Sequence, residues 1–189
     1  MRKEYANSAR KLFQDRLQNA LPQFKPRKGE LNVSPGNRLY RFVVAGDLSL
    51  YIYLVIHDNA DEFNIDIGHS KDVRFPIEVF FVKPEETMTV FSSCFRLNEL
   101  WQERDPWWAI QQDVSDTIGD QSVQIGDLMA RAFNDIRKYA IPYFEDLIKL
   151  RGYQYSFFDH LATRLYSSKY KPNLSSKSCE NGVIERAMF

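Results

Sequence analysis

A chain of 189 residues and 22.2 kDa, 44% hydrophobic and 26% charged, is the size of one ordinary globular domain, or of one domain with an appendage. Folding at this length removes roughly 70% of the unfolded surface from water, so no metal or disulfide framework is needed to hold it. With 25 basic against 25 acidic residues, whole-molecule attraction to nucleic acid or to anionic membrane is not indicated.

Residues 3 to 21 read as an amphipathic helix, because Tyr5, Ala9, Leu12, Phe13, Leu17, Ala20 and Leu21 recur at three- and four-residue steps. Pro22 and Pro26 stop it, and "FKPRKGE" turns the chain with a small basic cluster, Lys25, Arg27 and Lys28. From Arg38 the period changes to two. "RLYRFVVAGDLSLYIYLVIH" predicts a hairpin about Gly46-Asp47. In its second run Leu48, Leu50, Ile52, Leu54 and Ile56 share one face, and Ser49, Tyr51, Tyr53, Val55 and His57 share the other. "FNIDIGHS" alternates again, Phe63, Ile65 and Ile67 inward, Asn64 and Asp66 outward. "FPIEVFFV" carries Pro76, which makes it an edge strand or a loop covering the core. "TVFSSCFRL" predicts another strand, and Cys94 within it a buried small hydrophobe.

"DPWWAIQQ" places two tryptophans side by side. On a strand Trp108 and Ile110 point to the core and Trp107 to the opposite face. The competing reading starts a helix at Asp105 with Pro106 in its first turn. The strand is preferred, since Gln111, Gln112 and Asp113 continue no apolar stripe. Beyond it Ile125, Leu128, Met129, Ala132, Phe133, Ile136 and Ala140 form a broad helical stripe, which Pro142 ends or kinks. Tyr143, Phe144, Leu147 and Ile148 carry the spacing to Gly152, and Phe157, Phe158, Leu161 and Leu165 suggest one last helix before a polar tail. The fold expected is α+β: an antiparallel sheet of four to five strands, with an N-terminal helix and C-terminal helices packed on it. Residues 1–150 form the domain and 151–189 a helical extension and tail.

The parts that catalysis needs are missing from the pattern. Three histidines, His57, His69 and His160, are too scattered for a spaced metal site, and Cys94 and Cys179 form no metal-spaced pair. Asp66 and Glu78 resemble a nuclease acid pair, but Phe80 stands where its lysine belongs. No nucleophile elbow and no phosphate-cradling glycine loop is present. No cofactor is expected. The N-terminus has no apolar stretch fit for a signal peptide and no segment is fit to span a bilayer, so the cytoplasm is the expected address.

What remains is the outward face of the sheet. Tyr51, Tyr53, Asn64, Asp66 and Arg96 share it, with Trp107 near them, and tyrosine, tryptophan and arginine dominate binding hot spots. Their alternative role is structural, with Arg96 satisfying Asp66 and helices covering the face. Seven acids against Arg104 between Glu99 and Asp127, and six bases against Asp159 between Lys149 and Lys177, make the molecule electrically uneven. The expectation is a non-enzymatic cytosolic module that binds a protein partner through this surface, with the acidic segment from Glu99 to Asp127 beside it. The rival is an enzyme or small-ligand binder using a polar cleft around Asp66, His69 and Arg96, with Glu78. Nucleic-acid contact through Lys25, Arg27 and Lys28 ranks third, and zero net charge counts against it.

Five short motifs in order carry a resemblance: "QFKPRKG" (23–29), "FNIDIG" (63–68), "RLNEL" (96–100), "DPWW" (105–108) and "AIPYF" (140–144). Over roughly residues 8–150 the chain resembles a bacterial domain family of unknown function. Its members show a helix ending in "GF" with lysines, a "TINLG" strand, "R-I-G-x-L", "D-x-W-W" and a closing "ALPFL". Gln23 and Asn98 stand where that family has glycine, although asparagine tolerates a left-handed turn. The resemblance implies an α+β fold and no known reaction. Some such families sit in bacterial conflict systems as immunity-type binders, and the function expected here is a toxin-neutralising or stress-associated binder.

Overall fold

The computed structural model describes residues 3–28, 33–45, 48–71, 74–76, 80–88, 90–101, 107–109, 118–153 and 157. The fold is α+β. Helix α1 (Lys3–Ala20) leads into strands β1 (Lys25–Arg27), β2 (Arg38–Ala45), β3 (Leu48–Ile56) and β4 (Glu62–Ser70). Then come β5 (Ser92–Arg96), a two-residue β6 (Trp108–Ala109), and the helices α2 (Ile118–Asp135) and α3 (Ile141–Leu150). The compact unit ends at Phe157. The Gly46-Asp47 turn, Asp105-Pro106, Ile110 to Gln112, Glu78, and everything after Phe157 fall outside the described residues.

All strand pairs are antiparallel, in the order β1-β2-β3-β4-β5, with β6 also on β4. The sheet has six strands because "KPR", read from sequence as a turn, pairs Lys25 with Arg41 and Arg27 with Leu39 at the open edge of β2. An edge is where a strand tolerates proline, and Pro26 sits there. The "FPIEVFFV" segment forms no strand among its described residues.

The alternation of β3 and β4 sorts side chains as their spacing requires. Leu48, Leu50, Ile52, Leu54 and Ile56 join the main core with Phe63, Ile65 and Ile67. Onto that face pack Phe13 and Leu17 of α1, Met129, Ala132 and Phe133 of α2, and Tyr143, Phe144 and Leu147 of α3. Phe13 touches Tyr40 and Phe133 at ring distances of 5.6 and 5.4 Å, tying α1 to sheet and helix at once. Phe24, Phe42, Phe144 and Phe157 form a second knot of rings 5.7–6.2 Å apart, which ties the end of the compact unit to its beginning.

Pro142 does not end the helix. A π-turn, Ile136–Ala140, absorbs it and α3 follows directly. Proline has no N–H and its ring presses on the carbonyl four residues back; a wider turn relieves both. The run does end at Gly152, whose φ of +74° lies in the left-handed region. Its N–H donates to Lys149 and that of Tyr153 to Ile148, a Schellman closure that satisfies the last carbonyls.

Gly68 is set by close approach. A Cβ there would lie 2.5 Å from the Ser93 carbonyl oxygen and 3.1 Å from the Cys94 Cα, both backbone atoms of the neighbouring strand. Gly68→Ala must push β5 off β4, and overpacking of this kind costs roughly 1–3 kcal/mol. The expected outcome is a lower urea midpoint at unchanged m-value, whereas an unchanged midpoint would show that the two strands are not in this contact.

Candidate functional site

The second face of the sheet is where the sequence places its candidates, and the structure divides them. Tyr51, Tyr53 and Asn64 are buried, at 0%, 7% and 0% exposure, rather than displayed. Their cover is the chain leaving β4, not the helices. Phe75 meets the Tyr51 and Tyr53 rings edge-on at 5.4 and 5.2 Å, and the Tyr51 hydroxyl donates to the Arg74 carbonyl at 3.1 Å. Leu39 and Cys94 complete this small second core. Asn37 donates to the Tyr53 hydroxyl at 2.8 Å and accepts from the Ile56 N–H at 2.9 Å, so this tyrosine is held as well as covered. An alternation of aromatic and polar residues predicts which side of a strand a ring takes, but not whether a loop will fold over it.

Asn64 also has a structural task. Along its outer side β4 is shared: β5 pairs residues 66–70 and β6 pairs 62 and 63. The Ile65 N–H falls between them and donates to Asn64 Oδ1 at 2.7 Å.

Asp66, Arg96 and Trp107 are brought together where β5 and β6 meet along β4. Tyr53, Asp66 and Arg96 face one another in a row across β3, β4 and β5. The Arg96 guanidinium lies over the Trp107 ring, 4.9 Å from its centroid, and the Trp107 ring meets His57 edge-on at 5.2 Å. Asp66, Arg96, Trp107 and His57 are each partly exposed as residues, although Asp66 Oδ1 and one guanidinium nitrogen of Arg96 are buried. The adjacent tryptophans take opposite faces, since Trp108 stacks on Phe63 at 5.6 Å and 14° on the core side. Two-residue pairing with β4 is enough to fix that alternation.

Two residues the sequence reading did not single out for the site, His57 and Glu62, belong to this cluster, together with Glu99 from the acidic segment expected beside it. Glu99 Oε1 accepts the Arg96 N–H at 2.9 Å at the head of the 3₁₀ turn Leu97–Leu100. His57 Nδ1 accepts from the Asn59 N–H at 3.1 Å, which leaves Nε2 to face Glu62 Oε1 at 3.9 Å. His57 could have been found from sequence, because it shares the two-residue face of Tyr51 and Tyr53. The reach of Glu62 and Glu99 depends on loop geometry that no periodicity encodes.

The cleft of Asp66, His69 and Arg96 does not form. His69 lies on the core face, fully buried, with Nδ1 3.1 Å from Ser93 Oγ. Ser93 in turn neighbours Tyr143, whose hydroxyl donates to the Val82 carbonyl at 2.9 Å. This serine–histidine pair has no solvent access and serves the core. Among the described residues no group of His, Cys, Asp or Glu is arranged to hold a metal ion, and no helix is long and apolar enough to cross a membrane. Lys25 and Lys28 are exposed at β1 with Arg27 partly buried between them.

Electrostatics follow from burial. Desolvation lifts the Asp66 carboxyl from 3.8 to about 7; Arg96 pulls it back down and Glu99 adds to the rise. Desolvation drops His69 from 6.5 to about 4, with Arg151 pressing the same way and the Val90 backbone opposing. No protein-family model matches the chain, and no curated protein or solved structure matches it either.

The two shifts act oppositely on stability. Between about pH 4 and 6.5 native Asp66 keeps a proton that the unfolded chain releases, so its contribution falls as pH rises. Over the same range native His69 stays neutral while the unfolded chain is protonated, so its contribution grows. Each full slope is about 1.4 kcal/mol per pH unit, and the pair cancels. Urea midpoints across this window are expected to rise more steeply with pH in Asp66→Asn than in wild type, and to rise less or fall in His69→Gln. Parallel profiles for all three would contradict the burial of both groups.

Proposed function

We propose that the protein is a non-enzymatic, cytoplasmic protein-interaction module, of the toxin-neutralising or stress-associated kind. The observation that carries this reading is the partly exposed Arg96–Trp107 stack at the open end of an otherwise covered sheet. A guanidinium held over an indole presents a large flat area with polar edges and loses little freedom on binding, which is the composition of interface hot spots. Asp66, His57, Glu62 and Glu99 around it supply polar atoms for a rim. The partner surface it suits carries an aromatic or aliphatic anchor for the Trp107 ring and a carboxylate for Arg96.

Of its described residues the small-ligand alternative keeps Asp66 and Arg96 together, because His69 lies across the sheet from them. Affinity capture from the native host should therefore separate wild type from Trp107→Ala/Arg96→Gln. The double variant is expected to keep its fold, since an exposed cation–π contact contributes only about 0.5–1 kcal/mol, and to lose the wild-type partners. Retention of the same partners by a folded double variant would overturn the proposal.

A further inference from the structure

On the helical side of the sheet, well away in sequence from the Arg96–Trp107 cluster, α1 and α2 with the π-turn line a half-open groove of about 350 Å³. Its residues follow helical spacing on both elements: Arg16, Asn19 and Ala20 on α1, and Ala130, Phe133, Asn134 and, in the π-turn, Arg137. The space exists because Ala20 and Ala130 stand where larger side chains would close the packed pair, with the Phe133 ring beside them. Two guanidiniums and two side-chain amides complete the lining, and no carboxylate is part of it. Among the described residues neither Arg16 nor Arg137 is in an ion pair.

Arg137 owes its place to the π-turn. The extra residue per turn between Ile136 and Ala140 widens the helix just where the cavity opens, and such turns recur at functional sites. One arginine from α1 and one from the π-turn that follows α2 line the same space, and a pair of forked cations suits an anion with several oxygens. The Asn134 amide carries both donors and an acceptor, which suits hydroxyl or amide groups on the rest of such a molecule. The volume lies at the small end of ligand pockets, large enough for a nucleoside monophosphate. We infer that the groove between α1 and α2 binds a phosphorylated small molecule through Arg16 and Arg137. This site is independent of the proposed protein interface.

The test is calorimetric titration of the full chain with AMP and with inorganic pyrophosphate, adenosine serving as the uncharged control. At least one phosphorylated probe is expected to bind at up to low millimolar concentration, and adenosine not to bind. Arg137→Gln, at an exposed position, should weaken binding by roughly tenfold or more, the loss of one charge-assisted fork. Ala130→Leu keeps both arginines but fills the groove, and Ala20→Leu does the same from the other helix; each should abolish binding. Absence of binding for both phosphorylated probes overturns the inference. So does wild-type affinity in Arg137→Gln, or in a folded groove-filling variant, since binding would then rest on surface charge rather than on a shaped site. Loss of partners in Trp107→Ala/Arg96→Gln with unchanged phosphate binding would separate the two surfaces.

Discussion

Everything in this fold follows from a strand that cannot leave either face in water. From Leu48 to Leu54 each successive side chain of β3 is buried, aliphatic on one side and serine or tyrosine on the other. Two-residue alternation sends them to opposite sides, so the sheet needs two covers. Three helices supply one. The other is made by the chain itself, which leaves β4 and lays Phe75 across Tyr51 and Tyr53. Burial of this kind is worth roughly 25 cal/mol for each Å² of apolar surface, and it dominates the polar contacts around it.

That double cover decides where a site can be. With most of the second face closed, the part of it left partly open lies where β5 stops and β6 begins along β4, and the proposed interface is there. Arg96 and Trp107 meet there. The same geometry separates groups that a linear reading places three residues apart: Asp66 faces the open end and His69 the helical core. Their opposite shifts record two environments on the two sides of one strand. Desolvation raises the Asp66 carboxyl to about 7 despite a facing arginine, and burial in the core lowers His69 to about 4.

Periodicity made the sheet legible. The hairpin of β2 and β3, the inward set of β4 and the opposed directions of Trp107 and Trp108 all follow from steps of two, and α1 and the stripe of α2 from steps of three and four. Edges and covers were not legible. "KPR" carries too few residues to show alternation, and it becomes a strand only because β2 offers an unpaired edge. Phe75 beside Pro76 gives no sign that it will fold back onto Tyr51, since that contact is set by a loop and not by a repeat. For the same reason Tyr51, Tyr53 and Asn64 read as surface and are interior, whereas Asp66, Arg96 and Trp107 were placed together correctly by their shared face. The groove between α1 and α2 was invisible in the sequence, because a cavity is defined by what two alanines on different helices fail to fill.

Hydroxyl-radical footprinting of the native chain, read out residue by residue, tests the central claim most directly. Trp107 should label readily, with Tyr51 and Tyr53 protected until the chain unfolds. Labelling of Tyr51 or Tyr53 at the rate of Trp107 under native conditions would mean that the second face is open, and the confinement of the site to the end of the sheet would fail with it.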